Sequence, residues 1–228
     1  MEIRPIATVH SDFQGRFGTP RQPGLVPAAR GRVLMQPPYN NAEALRGLED
    51  CSHIWLIFGF DRIDNRDWRP TVRPPRLGGN RRCGVFATRS PFRPNGLGLS
   101  LVALEGLLTP SGKGLAIAAP DLLDATPIYD IKPYLPEVEA RPQARPPTGF
   151  EQPASRLPVI WTTAARAAAA NLEPRLLALI EQTVAADPRP AYRRSDDNAE
   201  YGMRIAGIEV GWRVSAGTAY IERLVAED

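Results

Sequence analysis

The chain is poor in lysine. Lys113 and Lys132 stand alone among 28 Lys and Arg residues, so arginine carries nearly all of the positive charge. Cysteine is equally scarce: Cys51 and Cys83 are far apart and form no CxxC pair, which argues against a disulfide framework or zinc ribbon and reads as two buried structural thiols. His10 and His53 are too few for a histidine metal site and sit in no HExxH arrangement, so no metal is expected, and His53 reads as a packed core imidazole. No run approaches the length of a membrane span, and MEIRPIATVHSDFQG lacks the charged start and apolar core of a leader. The expectation is a cytoplasmic protein with no membrane partner. There is no GxxxxGK[ST] loop and no GxGxxG after a strand, which leaves a Rossmann-type nucleotide site unsupported.

Acidic residues are missing where they would matter most. Between Trp68 and Leu104 stand seven arginines (Arg69, Arg73, Arg76, Arg81, Arg82, Arg89 and Arg93) and not one Asp or Glu. With a formal net charge of only +3, the case for an anionic partner rests on this local block, which attracts phosphate or carboxylate. Pro74-Pro75, Gly78-Gly79, Pro91 and Pro94 force its flanks into turns and extended segments, leaving only Cys83 to Thr88 as a predicted strand. The glycines would let a ligand approach backbone N–H donors while the guanidinium forks hold its charge.

At 228 residues the chain can bury a real core. Residues 3–9, 31–35 and 52–60 read as strands, the last, SHIWLIFGF, as one buried on both faces. Between the first two lies a proline-ordered loop carrying Arg16, Arg21 and Gln22, side chains suited to a polar ligand. Asn40 or Asn41 can cap a small helix over 42–48. Strands over 99–108 and 113–119, joined by TPSG, are followed by the Asp-rich 121–136. Many short strands and little helix predict a mainly β fold: a small closed or nearly closed β-barrel over 1–136, a Pro-rich linker or draped chain over 137–155, and a smaller C-terminal α+β domain over 156–228. That last part reads as a strand RLPVIWT, helices over TTAARAAAAN and from Pro174 to Ala186, and a hairpin of 203–214 with 218–226. Before the hairpin, DPRPAYRR places Arg189, Tyr192, Arg193 and Arg194 together, a cation-and-ring combination suited to RNA.

FGTPRQPGL (17–25), GLEDCSHIWLIFGF (47–60), RPTVRPPRLGGNRRCGVFATRSPFRPN (69–95), DLLDATPIYDIKPYLP (121–136) and DPRPAYR (187–193) together resemble the TsaA/YaeB family, the TrmO-type tRNA methyltransferases. The resemblance covers nearly the whole chain. It implies a non-Rossmann barrel that binds S-adenosyl-L-methionine, a homodimer with the cofactor site near the subunit contact, and N6-methylation of threonylcarbamoyl-adenosine beside the anticodon of tRNA. By motif, Pro20, Arg21 and Gln22 form one wall of the cofactor site, with Asp61, Arg62, Arg89, Leu99 and the turn Asp121, Leu122, Leu123 and Asp124 as others. Arg89 or Arg21 could pair with the cofactor carboxylate, and Asp121 or Asp124 could accept from its ammonium or ribose. Asn95, Asp124 and Asp130 are the candidates to accept a hydrogen bond from N6–H, and the residues leave the choice among them open. Arg73, Arg76, Arg81, Arg82, Arg93, Arg189, Tyr192 and Arg193 are the expected tRNA contacts. The chain departs from the family pattern at Asp61-Arg62, where a His is common, and at RPNG (93–96) and DATP (124–127). Two alternatives stay open: the same fold methylating another nucleobase or a small molecule, or an RNA-binding module without catalysis.

Overall fold

A computed structural model of the chain describes residues 2–60, 62–63, 68–108, 113–151 and 156–226, with the backbone alone of Arg76 and Ala191. Its first half is built from eight strands: β1 (Ala7–Ser11), β2 (Arg30–Met35), β3 (His53–Gly59), β4 (Thr71–Val72), β5 (Cys83–Gly84), β6 (Leu97–Leu107), β7 (Gly114–Ala118) and β8 (Pro127–Pro133). Six of them close into a barrel in the order β1-β2-β7-β6-β3-β8, while β4 and β5 pair with each other as a separate ribbon. The barrel of the sequence reading is therefore fully closed, and closure removes the unpaired edges that short strands would otherwise expose.

Period-2 alternation packs its interior. Ile54, Leu56 and Phe58 of β3 point inward with Val9, Val33, Val102, Leu115, Ile117 and Ile128. The expectation that β3 is buried on both faces is corrected, because its outer residues Trp55 and Ile57 are only partly covered. That cover comes from the supposed linker. The helical turn α2 (Pro136–Glu139), the second after the short α1 (Ala42–Leu45), lies against β3: Glu139 Oε2 accepts from Leu135 N–H at 2.7 Å at the start of the turn, and its Oε1 accepts from Trp55 Nε1 at 2.9 Å. Further along, Arg81 Nη1 donates to Thr148 O at 3.4 Å. The segment 137–151 thus touches β3 through Glu139 and the stretch between β4 and β5 through Thr148. His53 is also corrected: it is exposed, with Ser52 Oγ at 3.0 Å from its Nδ1 and its ring edge-on to Tyr134.

The C-terminal part holds β9 (Val159–Trp161), α3 (Thr163–Ala168), α4 (Pro174–Ala185), β10 (Glu200–Ile205), β11 (Ile208–Ser215) and β12 (Thr218–Ala226). Its sheet runs β10-β11-β12-β9, with β9 parallel to β12. The predicted hairpin is really a three-stranded meander, since Ala206 (φ 49°) and Gly207 (φ 77°) form a two-residue turn within the first predicted strand. The apolar face of α4, through Leu179, Ile180 and Val184, packs with Trp161, Val210, Trp212 and Ile221.

This second core also takes Phe13, Val26 and Ala29 from the loop between β1 and β2. Asp12 binds the two layers together. Its carboxylate accepts from Arg30 N–H at 2.7 Å and from Arg175 Nη1 at 2.8 Å, and its carbonyl accepts from Ala206 N–H at 2.8 Å. Ala28 N–H donates to Gln182 Oε1 at 2.8 Å beside it. A loop that belongs in sequence to the barrel therefore becomes the seat of the second sheet.

Candidate active site

Strand register decides which loops can meet. The pairings Ser11↔Gly31, Arg30↔Ala118, Thr8↔Pro127 and Gly59↔Leu97 put the β1–β2, β7–β8 and β3–β6 connections at the same end of the barrel. Pro20, Arg21 and Gln22 lie in the first, Asp121 to Asp124 in the second, and Arg62, Arg89 and Asn95 in the third. Leu99 stands just inside β6 with 51% of its surface exposed. Asp61 lies outside the described residues.

The side chains connect these loops. Arg89 Nη1 donates to Gln22 Oε1 at 2.5 Å, joining the third loop to the first. Arg62 Nη2 donates to Asp124 O at 2.9 Å and its Nη1 to Gln14 O at 3.5 Å, joining the third to both others. Arg16 Nη2 in turn donates to Arg62 O. Asp124 is anchored to β1: its N–H donates to Phe13 O at 2.8 Å, Ser11 N–H donates to its Oδ1 at 3.1 Å, and His10 Nδ1 lies 3.4 Å from the same oxygen. Ser11 Oγ donates to Leu122 O at 2.7 Å, which holds the buried Leu122 down and leaves Leu123 beside it. Ala125, at φ 66°, makes a left-handed bend of the kind glycine adopts most readily.

Asp121 has the most unusual surroundings. Ser100, fully buried on the inner face of β6, donates from Oγ to Asp121 Oδ1 at 2.5 Å. Burial pushes the Asp121 carboxyl above its ordinary range, while the Ser100 bond, the backbone and the Arg89 charge pull the other way. An acid whose pKa is raised by folding favours the folded state while protonated. Its unfavourable contribution therefore sets in above the ordinary carboxylate range and grows until the raised pKa is passed. Asp121→Asn is expected to gain stability relative to the native protein as pH rises through that window, in denaturant titrations at a series of pH values. Parallel titration curves for the two proteins would remove the strain from Asp121.

A second cluster adjoins the first. Arg21 Nη2 donates to Arg189 O at 3.1 Å; burial of this guanidinium, together with the Arg194 charge, lowers its pKa against the opposing pull of Asp187. Arg189 is only 3% exposed and makes a two-pronged pair with Asp187, Nε to Oδ1 at 2.7 Å and Nη2 to Oδ2 at 3.1 Å. Burial works against its charge, yet the Asp187 bonds and charge prevail and raise its pKa. Arg189, expected as a tRNA contact, is thus placed with its fork on Asp187 and away from the surface. Tyr192, at 71% exposure, and the exposed Arg193 and Arg194 are what that loop presents. The turn Ala191–Arg193 packs beside the turn Pro75–Leu77, so the two arginine-rich segments share one side of the molecule. Arg73, Arg81 and Arg82 are exposed there, and nothing is assigned to the Arg76 side chain.

Two of the three candidates for accepting a hydrogen bond from N6–H meet at this end. Asn95 is exposed in the turn whose Gly96 carbonyl accepts from Phe60 N–H at 2.8 Å, and Asp124 is held as described. Asp130 is not with them. It is 3.2 Å from Lys132 Nζ and borders a cavity of about 490 Å³ lined by Ile6, Met35, Leu45 and Cys51, residues of the opposite barrel end. Cys83 to Thr88 is likewise corrected: after the two-residue β5 the chain turns into a 3-10 helix, Val85–Ala87. Sequence reasoning missed Ser100 and His10. For Ser100 the signal was available, a hydroxyl at an inward position of an alternating strand. Among the described residues no group of His, Cys, Asp or Glu is placed to hold a metal, and no helix is long and apolar enough to cross a membrane. Both cysteines are free and half-buried.

Comparison with known proteins agrees with this architecture. The profile of the tRNA-methyltransferase O N-terminal domain matches residues 8–140 and that of the TrmO C-terminal domain residues 154–227. The tRNA (adenine(37)-N6)-methyltransferase of Escherichia coli is 43% identical over 94% of this chain and 93% of its own length. That of Eikenella corrodens is 52% identical over 77% of this chain and 97% of its own. A Pseudomonas aeruginosa relative named as a putative S-adenosylmethionine-dependent methyltransferase, RcsF, is 46% identical over 92% of the chain and 91% of its own length. The crystal structure of TrmO from P. aeruginosa superposes with a TM-score of 0.82 at 36% identity, covering 100% of this chain and 97% of that one. A closed barrel whose three loops are tied together by Arg62 and Arg89, matched along both halves by the two domain profiles, places this chain in the TrmO family of tRNA methyltransferases.

Proposed function

We propose that the chain is an S-adenosylmethionine-dependent tRNA (adenine-N6)-methyltransferase that modifies N6 of threonylcarbamoyl-adenosine at position 37, beside the anticodon, and that it works in the cytoplasm as a homodimer. The observation that carries the reading is the shared loop 20–22: Gln22 bonds Arg89, and Arg21 bonds the loop of Tyr192 and Arg193. One short segment therefore touches both the proposed cofactor wall and the proposed RNA face.

The donor set suits S-adenosylmethionine. Arg89 offers a fork for a carboxylate, the second carboxylate oxygen of Asp121 offers an acceptor for an ammonium or ribose hydroxyl, and the exposed Leu99 offers apolar surface. When bound, that cofactor supplies an electrophilic methyl group whose C–S bond breaks as the new bond forms, the electron pair staying on sulfur. The chain's own task is to align and desolvate the N6 lone pair and to hold the N6–H with a hydrogen-bond acceptor, the proton passing to solvent once the methyl group is transferred. Asn95 is exposed at the junction of the loops and can accept from N6–H through Oδ1, whereas Asp124 is engaged by Ser11 and Asp130 faces the far end. The exposed Leu99 is also an apolar surface that a second subunit can cover.

Incubation of the purified protein with S-adenosylmethionine and total bacterial tRNA, followed by nucleoside mass spectrometry, tests the reading directly. A one-methyl gain on threonylcarbamoyl-adenosine is expected. A gain on unmodified adenosine alone would remove the threonylcarbamoyl requirement, and no gain on any nucleoside would overturn the activity.

A further inference from the structure

Phe86 is an exposed ring in a setting built to hold it still. It is the middle residue of the 3-10 turn Val85–Ala87 and 73% of its surface is open, although the neighbouring Val85 is buried to 1% and pins the turn. The Arg93 guanidinium lies over the ring, 5.6 Å from its centre. Arg93 is itself fixed, with Nη1 donating to Val85 O at 3.3 Å and Thr88 O at 2.8 Å. Thr88 closes the turn, its Oγ1 donating to Val85 O at 2.8 Å. A single exposed apolar side chain needs no explanation, but a braced aromatic within a stretch of arginines that lacks every acidic residue has a specific use.

We propose that Phe86 is a stacking platform for an unpaired base of the RNA substrate, a role that rests on the tRNA reading above. Base stacking needs an aromatic plane of fixed orientation, with cations nearby for the phosphates that accompany the base. A duplex hides the faces of its bases, so the ligand is a single-stranded loop. Phe86 has both requirements through its own turn: the plane is held by Val85 and Arg93, and Arg81, Arg82 and Arg89 are exposed on either side of it in the chain. Tyr192 is a further exposed ring, carried by the turn that packs beside Pro75–Leu77 of the same arginine-rich segment.

The test compares native protein with Phe86→Ala, Phe86→Leu and Phe86→Trp in tRNA binding without cofactor, S-adenosylmethionine binding, and mass in solution. Because the ring is exposed, none of the three disturbs the core. Alanine and leucine are each expected to weaken tRNA binding roughly tenfold, and tryptophan to keep it near native, with cofactor affinity and mass unchanged. Leucine restoring native binding would mean apolar contact without stacking and overturn the proposal. So would a fall in mass with alanine, which would assign the ring to a contact between subunits, and so would native binding by the alanine variant. If the native protein itself fails to bind tRNA, the reading of the substrate falls first and the platform with it.

Discussion

Replacing Asp187 by alanine is expected to destabilise the protein by about 3–5 kcal/mol, because it strands a guanidinium in the interior. Side-chain exposure is 4% for Arg189 and 6% for Asp187, and the two share a two-pronged bond, so no water is at hand to replace the lost carboxylate. The backbone adds to the loss. Asp187 sits at φ 48°, where Asp and Asn are tolerated far better than alanine. The reverse deletion is gentler: Arg189→Ala leaves Asp187 with Arg194, whose Nε is 3.3 Å from Oδ2. Denaturant midpoints should therefore fall most for Asp187→Ala and less both for Arg189→Ala and for Asp187→Asn, which keeps the backbone conformation and part of the bonding but not the charge. Equal losses for the two alanine variants would show that the pair acts as a unit in which neither charge is left over. Since Arg21 holds the Arg189 carbonyl, the same loss should reach the loop of Tyr192 and depress tRNA methylation before global unfolding is seen.

The same pair shows how far sequence alone could reach. In DPRPAYRR the composition announces an anionic partner, but which arginine is neutralised inside and which reaches out depends on the Asp two residues earlier and on the sheet above it. Elements with a clear period and a clear stop were legible. The strands over 31–35 and 113–119 and the helix opened by Pro174 have their predicted type and nearly their predicted bounds. Others failed for definable reasons. β8 begins at a proline in an Asp-rich turn, and a bulge at Tyr129 breaks its alternation, which masks a strand as a loop. Ala206-Gly207 is a weak turn signal, since alanine seldom takes positive φ, and the meander read as one long strand. Cys83 to Thr88 has strand composition, yet Pro70 and Thr88 draw Val85 into a tight turn by hydrogen bonds, Val85 N–H donating to Pro70 O at 3.0 Å. At the site, motif matching found the loops but not their support: Ser100 has no chemistry of its own until the fold sets it against Asp121.

Arg89→Ala is expected to weaken S-adenosylmethionine affinity roughly 10- to 100-fold, the worth of a charge-assisted bond to a carboxylate, while leaving the unfolding midpoint near native. Arg89 is exposed and, among the described residues, its hydrogen bond is to the exposed side chain of Gln22, so its removal strands no buried group there. Gln22→Ala should cost less, since it loosens the guanidinium without removing the charge. Lysine at position 89 should recover only part of the affinity, because a point charge cannot reproduce the fork. The sharper test lies in pH. The Arg89 charge lowers the pKa of Asp121 against the upward push of burial, so without it Asp121 holds its proton to higher pH. If the ionised Asp121 accepts from the cofactor ammonium or ribose, the acidic edge of binding moves upward in Arg89→Ala, in Ser100→Ala for the loss of its hydrogen bond, and not at all in Asp121→Asn, which has no carboxyl to titrate. Calorimetric titration of S-adenosylmethionine across the acidic range reads all four proteins. An unmoved edge in both Arg89→Ala and Ser100→Ala would detach Asp121 from the ligand, and unchanged affinity in Arg89→Ala would take the arginine out of the cofactor wall.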